Sequence, residues 1–205
     1  MNKTLIVGHR GNIATRYKAV FNYLKLPWVG VDIGDSWPNS GTYEQVLICT
    51  PTDRHIRDCY HSLREGKRFL CEKPVSRYPE AIEELAQDCE KAEVRGSMVN
   101  NWWWACKIRF GNKPPITTIK YNYFHTGKDG VAWDCIQPIY LAERVEIKTD
   151  SPVFQCLVNG HEMTRFFFDA SYVDMIKAWS EGNPLWTLAD AQKATLKALK
   201  YEGCH

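Results

Sequence analysis

Short apolar runs alternate with amphipathic stretches along the first half of the chain. The apolar runs have the length of buried strands and lie at 5–7, 28–31, 46–49, 69–71 and 97–99. Apolar residues at helical spacing predict helices at about 13–25 and 54–65, and a third helix that starts at Pro79. Strands and helices that alternate in this way predict βαβ units. We therefore predict an α/β fold with a parallel sheet for this half.

The pattern changes after residue 112. Residues 116–124 alternate between apolar and polar, as in a strand with one buried face. Further strands are predicted at 142–149, 153–158 and 161–167, and Asn159-Gly160 is a hairpin turn signal. Helices are predicted at 170–181 and at 188–201, the last one packing back. The sequence therefore predicts two domains, 1–112 and 113–205, the second a small α+β domain with an antiparallel sheet of about four strands.

A glycine-containing turn joins the first strand to the first helix. Its spacing, G-x-x-G-x-x-A, is one residue longer than the usual G-x-G-x-x-G/A of dinucleotide sites. The glycines permit a tight turn, and the N-terminus of the helix offers free N–H groups to a pyrophosphate. The predicted cofactor contacts in this turn are Gly8, His9, Arg10, Gly11, Asn12 and Ile13. A glycine turn without a ligand is the alternative.

An acidic residue ends the second strand. Asp32 lies 21 residues beyond Gly11, where such folds place the acid that binds the adenosine ribose. No Lys or Arg occurs from Val31 through Ile48. A 2′-phosphate would therefore meet carboxylates and no basic partner, which favours NAD over NADP. Asp35 is a rival for the ribose role, and either acid could be an ordinary loop residue.

The most informative run is 46–74. It reads strand, helix, strand, and two of its motifs, Thr50-Pro51 and Glu72-Lys73-Pro74, stand at carboxyl ends of strands, where parallel sheets bind ligands. His55 and a Gly66-Lys67 turn lie between these motifs. In this order the motifs resemble those of the glucose–fructose oxidoreductase / inositol dehydrogenase (Gfo/Idh/MocA) family. The chain resembles a short member of that family with a truncated second domain.

The resemblance implies a Rossmann dinucleotide-binding domain, NAD as cofactor and hydride transfer. It places Lys73 beside the nicotinamide and the reacting carbon, where an ammonium can hold a substrate oxygen and help to move its proton. Lys73 could instead only stabilise a loop or bind a phosphate. The cofactor contacts that the resemblance implies, beyond the glycine turn and Asp32, are Thr50, Pro51, His55, Glu72, Lys73 and Asn100.

The second half departs from the family at the position of its usual catalytic His. Asp134 matches the Asp of that segment, but Gln137 stands where the His would be. Gln cannot act as a general acid or base, although it can hold a substrate oxygen. Asp134 and Gln137 are therefore the predicted partners of Lys73 in catalysis. Weaker substrate candidates are Trp102, Tyr123 and His125, for which core packing or a surface position is the alternative.

Composition excludes several other classes of protein. The chain has 205 residues, 24% charged residues and a net charge of +2, which does not favour nucleic-acid binding. No apolar run is long enough for a signal peptide or a membrane span, so a cytoplasmic protein is expected. The eight cysteines form no C-x-x-C pair and no metal spacing. We expect buried thiols and no metal site.

Three functions are compatible with these features. The first is an NAD-dependent oxidoreductase that acts on a hydroxyl or carbonyl carbon of a sugar- or polyol-like molecule, or a reductase of the tetrapyrrole type. The second is an NAD(H)-binding sensor or partner subunit without turnover, which the missing His favours. The third is a structural protein that has kept the fold and lost the pocket. The resemblance also implies a homo-oligomer formed through the C-terminal sheet.

Overall fold

The structure is a computed structural model that describes residues 3–111, 116–122, 133–148, 155–163, 170–183 and 185–201, with only the backbone at 121, 122, 134 and 148. Its strands are β1 (Thr4–Val7), β2 (Trp28–Val31), β3 (Gln45–Ile48), β4 (Arg68–Cys71), β5 (Gly96–Met98), β6 (Thr118–Asn122), β7 (Arg144–Lys148), β8 (Gln155–Val158), β9 (His161–Glu162) and β10 (Trp186–Thr187). Its helices are α1 (Asn12–Tyr23), α2 (Thr52–Arg64), α3 (Pro79–Lys91), α4 (Asn101–Phe110), α5 (Ile136–Leu141), α6 (Ala170–Ser180) and α7 (Leu188–Leu199).

The contacts divide the chain into two compact units, one of residues 1–99 and 176–192 and one of residues 100–175 and 193–205. The sequence-based boundary near residue 112 lies outside the described residues and stays a prediction. Within the first unit, Gln192 of α7 donates a hydrogen bond to Glu83 of α3 over 3.0 Å. The first turn of α7 is therefore attached to the first unit. The predicted capping box is present, because Thr187 and Asp190 bond to each other's backbone N–H.

The first unit is built on a six-stranded sheet in the order β10-β5-β4-β3-β1-β2. The pairs among β1 to β5 are parallel, as predicted. All four residues of β1 and of β3 are buried, which is why these strands read as continuous apolar runs. The two-residue strand β10 was not predicted. It pairs antiparallel with β5, next to the start of α7.

The connections of this sheet place several loops at one edge. The α1, α2 and α3 crossovers join parallel neighbours, so the carboxyl ends of β1, β3 and β4 point the same way. Between β2 and β3 the described chain has only a 3₁₀ turn, Ser40–Thr42, where a longer crossover helix is usual. This confirms the shortened connection that the turn-rich sequence at 35–41 predicts.

The second unit contains a four-stranded sheet in the order β7-β6-β8-β9. The predicted hairpin is confirmed, since Asn159 and Gly160 both have positive φ and join the antiparallel strands β8 and β9. The expectation of a wholly antiparallel sheet is wrong, because β6 pairs with β7 in parallel. The segment between these strands includes α5, and a crossover of that length lets the chain return in the same direction.

None of the described helices is long and apolar enough to cross a bilayer. Within the same described residues, no group of three His, Cys, Asp or Glu side chains could hold a metal ion.

Candidate functional site

The glycine turn after β1 is held tightly against its neighbours. The N–H groups of Gly8 and His9 donate to the Val31 carbonyl over 2.9 and 3.2 Å, and Gly11 N–H donates to Gly8 over 3.0 Å. Gly8 has φ +80°, and a Cβ at this position would lie 2.9 Å from backbone atoms of Cys49. Only glycine fits at position 8 without a shift of the backbone.

Helix α1 begins in a form that suits an anion. Gly11 is its N-cap with extended backbone, no side chain caps it, and its first turn holds no acidic residue. Its first N–H groups and the positive end of its dipole are therefore available to a phosphate. Asn12 is exposed and Ile13 half-buried, while Ala14 is fully buried. The sequence placed the start of this helix within one residue.

Asp32 ties the glycine turn to the end of β2. Its carboxyl oxygens accept hydrogen bonds from the N–H of Arg10 at 2.9 Å and of Ile33 at 2.8 Å. The Ile33 bond is the main cause of a pKa of Asp32 below its usual value; burial opposes this shift, and Arg10 adds to it. The carboxylate therefore persists to lower pH than usual. It keeps lone pairs for the hydroxyl groups of a ribose.

A cavity of about 820 Å³ opens beside Asp32, between the loop after β2 and helix α2. The rings of Trp37 and His61 stack within it, 3.9 Å apart at 5°. The other polar side chains of its wall include Asp35, Arg54, Arg57, Asp58 and Arg64. Trp37, His61 and these arginines were not predicted as site residues. A 2′-phosphate would meet no Lys or Arg within residues 31–48, as predicted, but the cavity wall also includes three arginines from α2.

His55 joins the two motifs at the carboxyl ends of β3 and β4. Its Nδ1 lies 2.8 Å from the Pro74 carbonyl oxygen and its Nε2 lies 2.6 Å from that of Thr50. The side chain is 2% exposed. His55 therefore braces the two loops against each other. Its predicted contact with the cofactor, like those of Thr50 and Pro51, stays a prediction.

Glu72 fixes the loop that carries Lys73. Its carboxyl group accepts hydrogen bonds from the hydroxyl of Tyr17 at 2.6 Å and from the backbone N–H of Lys73 at 3.0 Å. Tyr17 and Glu72 are both buried, whereas Lys73 is half-buried. Tyr17 belongs to α1, the helix that starts at the glycine turn. This bond therefore connects the predicted phosphate site to the loop of the predicted catalytic lysine.

We expect Tyr17→Phe to lower the free energy of unfolding by about 1 to 3 kcal/mol, because a buried carboxyl group loses a hydrogen-bond donor. Tyr23→Phe on the same helix is the control, since Tyr23 is 75% exposed. Urea denaturation of both variants measures the difference. Equal stability of the two variants would contradict the assigned role of Tyr17.

The second unit holds the remaining predicted residues for which a side chain is described. Asn100 is 3% exposed, and its Oδ1 has no hydrogen-bond partner in the part of the chain that the structure describes. Its predicted contact with the cofactor stays a prediction. Gln137 is fully buried; its carboxamide accepts from Trp102 N–H and donates to Asn101 Oδ1, each over 3.0 Å. Gln137 therefore holds the first residues of α4, and its contact with a substrate stays a prediction.

The tryptophan run forms part of α4. Trp102 is 6% exposed, whereas Trp103 and Trp104 are half-buried. The ammonium of Lys107 lies 5.1 Å from the Trp103 ring and 4.4 Å from the Trp104 ring. The predicted substrate contact of Trp102 stays a prediction.

Three further predicted residues have no described side chain. Tyr123 and His125 lie outside the described residues. Asp134 lies in the 3₁₀ turn Trp133–Cys135, and only its backbone is described. Their roles as substrate or catalytic residues stay predictions.

The comparisons with known proteins agree with this geometry. Residues 13–100 match the family profile described as "Oxidoreductase family, NAD-binding Rossmann fold" (GFO_IDH_MocA). These residues, less than half of the chain, are similar to the NAD-binding domain of that family. The resemblance seen in the motifs is thereby confirmed, together with the Rossmann fold and NAD as the cofactor. The sequence matches none of the curated proteins with which it was compared.

Solved structures of several dehydrogenases share the fold. The WlbA (WbpB) dehydrogenase of Thermus thermophilus, in complex with NAD and UDP-GlcNAcA, superposes with a TM-score of 0.73 at 16% identity, over 100% of this chain and 96% of that chain. UDP-N-acetylglucosamine 3-dehydrogenase GnnA of Acidithiobacillus ferrooxidans gives 0.69 at 14% identity, over 97% and 96% of the chains. Scyllo-inositol dehydrogenase of Lactobacillus casei, with NAD(H) and scyllo-inositol, gives 0.62 at 12% identity, over 97% and 95%.

The residues of the glycine turn and of the end of β2 fit NAD. The turn at Gly8 leaves no room for a side chain, α1 begins without a capping side chain, and Asp32 stands at the end of β2. Gly8 to Ile13 would hold the pyrophosphate and Asp32 the ribose hydroxyl groups. These contacts are predicted from the order of strand, glycine turn and helix in the chain, and they stay predictions.

Proposed function

We propose that this protein is an NAD-dependent oxidoreductase that transfers hydride between the nicotinamide and a hydroxyl- or carbonyl-bearing carbon of a small molecule. The observation that carries the proposal is the braced loop of Glu72-Lys73-Pro74. Tyr17 bonds to Glu72 and His55 contacts the Pro74 carbonyl, so both hold this loop at the carboxyl ends of the strands, where Rossmann folds bind the cofactor. An ammonium on a rigid loop at that edge has a use in proton movement that simple cofactor binding does not require.

Each residue at this edge has a separate task in the proposed reaction. When bound, the nicotinamide supplies or accepts the hydride. Lys73 holds the substrate oxygen and moves its proton as the carbon–oxygen bond changes between single and double. Glu72 and His55 keep the backbone of the Lys73 loop in place.

Sugar- and polyol-like molecules are the proposed substrate class. The support comes from proteins of the same fold, one crystallised with UDP-GlcNAcA and one with scyllo-inositol. Both ligands offer secondary hydroxyl groups on a ring. Reduction of a carbon–carbon bridge in a tetrapyrrole is the other proposed reaction, because it does not need the His that Gln137 replaces.

A turnover screen tests the proposal. The purified protein is incubated with NAD and a panel of nucleotide sugars, free sugars and inositols, and with NADH and the matching ketones, while NADH absorbance is followed. We expect turnover with at least one ring polyol or sugar, and we expect this turnover to depend on Lys73. Saturable NADH binding without turnover on any member of a broad panel would favour the second function below.

The second proposed function is an NAD(H)-binding sensor or partner subunit that performs no turnover. The observation that favours it is the position of Gln137. The carboxamide of Gln137 is neither an acid nor a base, so it cannot replace the catalytic His. Its hydrogen bonds to Asn101 and Trp102 give it a structural role instead. The Lys73 variant described in the Discussion separates the two functions.

We further propose a cytoplasmic homo-oligomer that associates through the C-terminal sheet. Strands β6 and β7 expose Lys120, Arg144 and Glu146, and Lys120 pairs with Glu146 across the two strands at 2.8 Å. Arg144 lies 4.0 Å from the same carboxyl group. An interface on this face would therefore depend on the balance of charges.

We expect Glu146→Lys to weaken self-association by about tenfold, because it places three like charges side by side. Light scattering over a range of protein concentrations measures the change. Glu90→Lys is the control for net charge, because Glu90 is an exposed residue of α3. A wild-type protein that is monomeric at every concentration would refute the proposed interface.

A further inference from the structure

The glycine turn after β1 contains one residue more than the usual dinucleotide motif. Two residues, His9 and Arg10, stand between Gly8 and Gly11, where G-x-G-x-x-G has one. The turn is nevertheless closed, because Gly11 N–H donates to the Gly8 carbonyl over 3.0 Å and His9 N–H donates to the Val31 carbonyl over 3.2 Å. The inserted residue must therefore find its room outside the turn.

Strand β2 provides this room. It is the last strand on its side of the six-stranded sheet, and the N–H of Arg10 donates to Asp32 Oδ2, just after its end, over 2.9 Å. The imidazole of His9 lies over Gly30, the third residue of β2. A Cβ added to Gly30 would be 2.7 Å from both the Cβ and the Nδ1 of His9. Any side chain at position 30 would therefore displace His9.

The backbone of Gly30 does not itself require glycine. Gly30 is a strand residue paired with Ile6 of β1, and its φ is not positive. Glycine inside a strand is unfavourable and often marks the close approach of another group. Here that group is the base of the His9 side chain, whose Cβ is fixed by the backbone of the turn. A substitution of Gly30 must therefore move the turn as well as the ring.

We propose that His9 and Gly30 are positioning residues of the cofactor site: the imidazole fills the space beside Gly30, and this lets a turn with one extra residue keep its N–H groups aligned for a pyrophosphate. His9 then acts through the turn rather than by contact of its ring with the cofactor. The inference rests on the proposed function, because it concerns the same dinucleotide site.

A double-mutant cycle with calorimetric titration of NADH tests the pair. Gly30→Ala is expected to weaken NADH binding about tenfold, because the added methyl group pushes the turn away from β2. His9→Gly removes both the ring and the Cβ, and the looser turn is expected to weaken binding about threefold. In His9→Gly/Gly30→Ala the methyl group meets no imidazole, so the affinity should return to that of His9→Gly alone.

Gly96→Ala is the matched control for the loss of a strand glycine. Gly96 lies at the amino end of β5, away from the carboxyl ends that carry the glycine turn, and a Cβ there would lie 2.9 Å from Leu188 Cδ1 and from Cε2 of Phe69. Gly96→Ala should lower the urea midpoint of unfolding but leave the NADH dissociation constant within about twofold of the wild-type value. Urea denaturation of Gly30→Ala then separates lost alignment from lost stability.

The outcomes separate this inference from the proposed function. If the wild-type protein binds neither NADH nor NADPH, the proposed function fails and the positioning role fails with it. If the wild-type protein binds NADH but the losses of the single variants add in the double variant, His9 acts independently of Gly30 and only the pairing is overturned. Wild-type affinity in Gly30→Ala also overturns it. If Gly30→Ala does not fold, the double variant decides: NADH binding equal to that of His9→Gly supports the pair, and an unfolded double variant overturns it.

Discussion

Lys73→Ala is expected to reduce kcat by about a thousandfold while the affinity for NADH stays within about threefold of the wild-type value. In the proposed mechanism the ammonium acts on the substrate oxygen, whereas the glycine turn and Asp32 hold the cofactor. The backbone N–H of Lys73, which donates to Glu72, is unchanged by the substitution. Steady-state kinetics and calorimetry on the same preparation measure the two quantities.

Lys91→Ala is the matched control for this variant. Lys91 lies at the end of α3, exposed, with its ammonium 3.0 Å from Asp88. The control should keep both turnover and affinity. Unchanged turnover in Lys73→Ala would refute the mechanism proposed for Lys73 and leave the non-catalytic function as the better account.

Gly8→Ala is expected to weaken NADH binding about a hundredfold and to lower the free energy of unfolding by about 2 to 5 kcal/mol. Two effects add at this position. The backbone has φ +80°, and the new Cβ would lie 2.9 Å from the carbonyl carbon and oxygen of Cys49. The turn must therefore move away from β3, and its N–H groups lose their alignment with the pyrophosphate.

Gly160→Ala separates the two effects. Gly160 has φ +79°, but a Cβ there would meet no atom within 4 Å. Its cost should be only the backbone strain, about 1 to 2 kcal/mol. Urea denaturation and calorimetry compare the variants. If Gly8→Ala is no more harmful than Gly160→Ala, the crowding at Cys49 does not limit the site.

The sequence predicts well the parts of this fold that are made of neighbouring residues. The strands β1 and β3 are buried on both faces, so their burial is visible as unbroken apolar runs. The start of α1 is marked by glycine, and the hairpin at Asn159-Gly160 requires two residues with positive φ. In each case one short segment contains the physical cause.

The features that the sequence did not predict arise from distant parts of the chain. The cavity wall combines Trp37, from the loop after β2, with Arg54 and His61 from α2. No local sequence pattern predicts that these residues lie together. The parallel pairing of β6 with β7 depends on the path between them rather than on their own residues. Helix α4 has three consecutive tryptophans directly after Asn101, and because these lie on different faces they obscure the apolar stripe that signals a helix.

The same distinction applies to the predicted site residues. Lys73 and Asp32 were predicted from motifs, and their loops are fixed by bonds to Glu72 and Arg10. His55 was predicted as a cofactor contact, and the structure adds a bracing role between two carbonyl groups. Gln137 was predicted as a substrate contact, and the structure adds a bond to Asn101 at the start of α4. Such bonds depend on three-dimensional neighbours, which motif order does not contain.

The most direct test of the central claim is a calorimetric titration of the wild-type protein with NADH, repeated with NADPH. The proposed cofactor site, at Gly8 to Ile13 and Asp32, occurs once in each chain. We expect saturable binding of one NADH per chain, and weaker binding of NADPH. No saturable heat with either nucleotide would mean that the glycine turn binds no dinucleotide, and the assignment as an NAD-dependent oxidoreductase would be wrong.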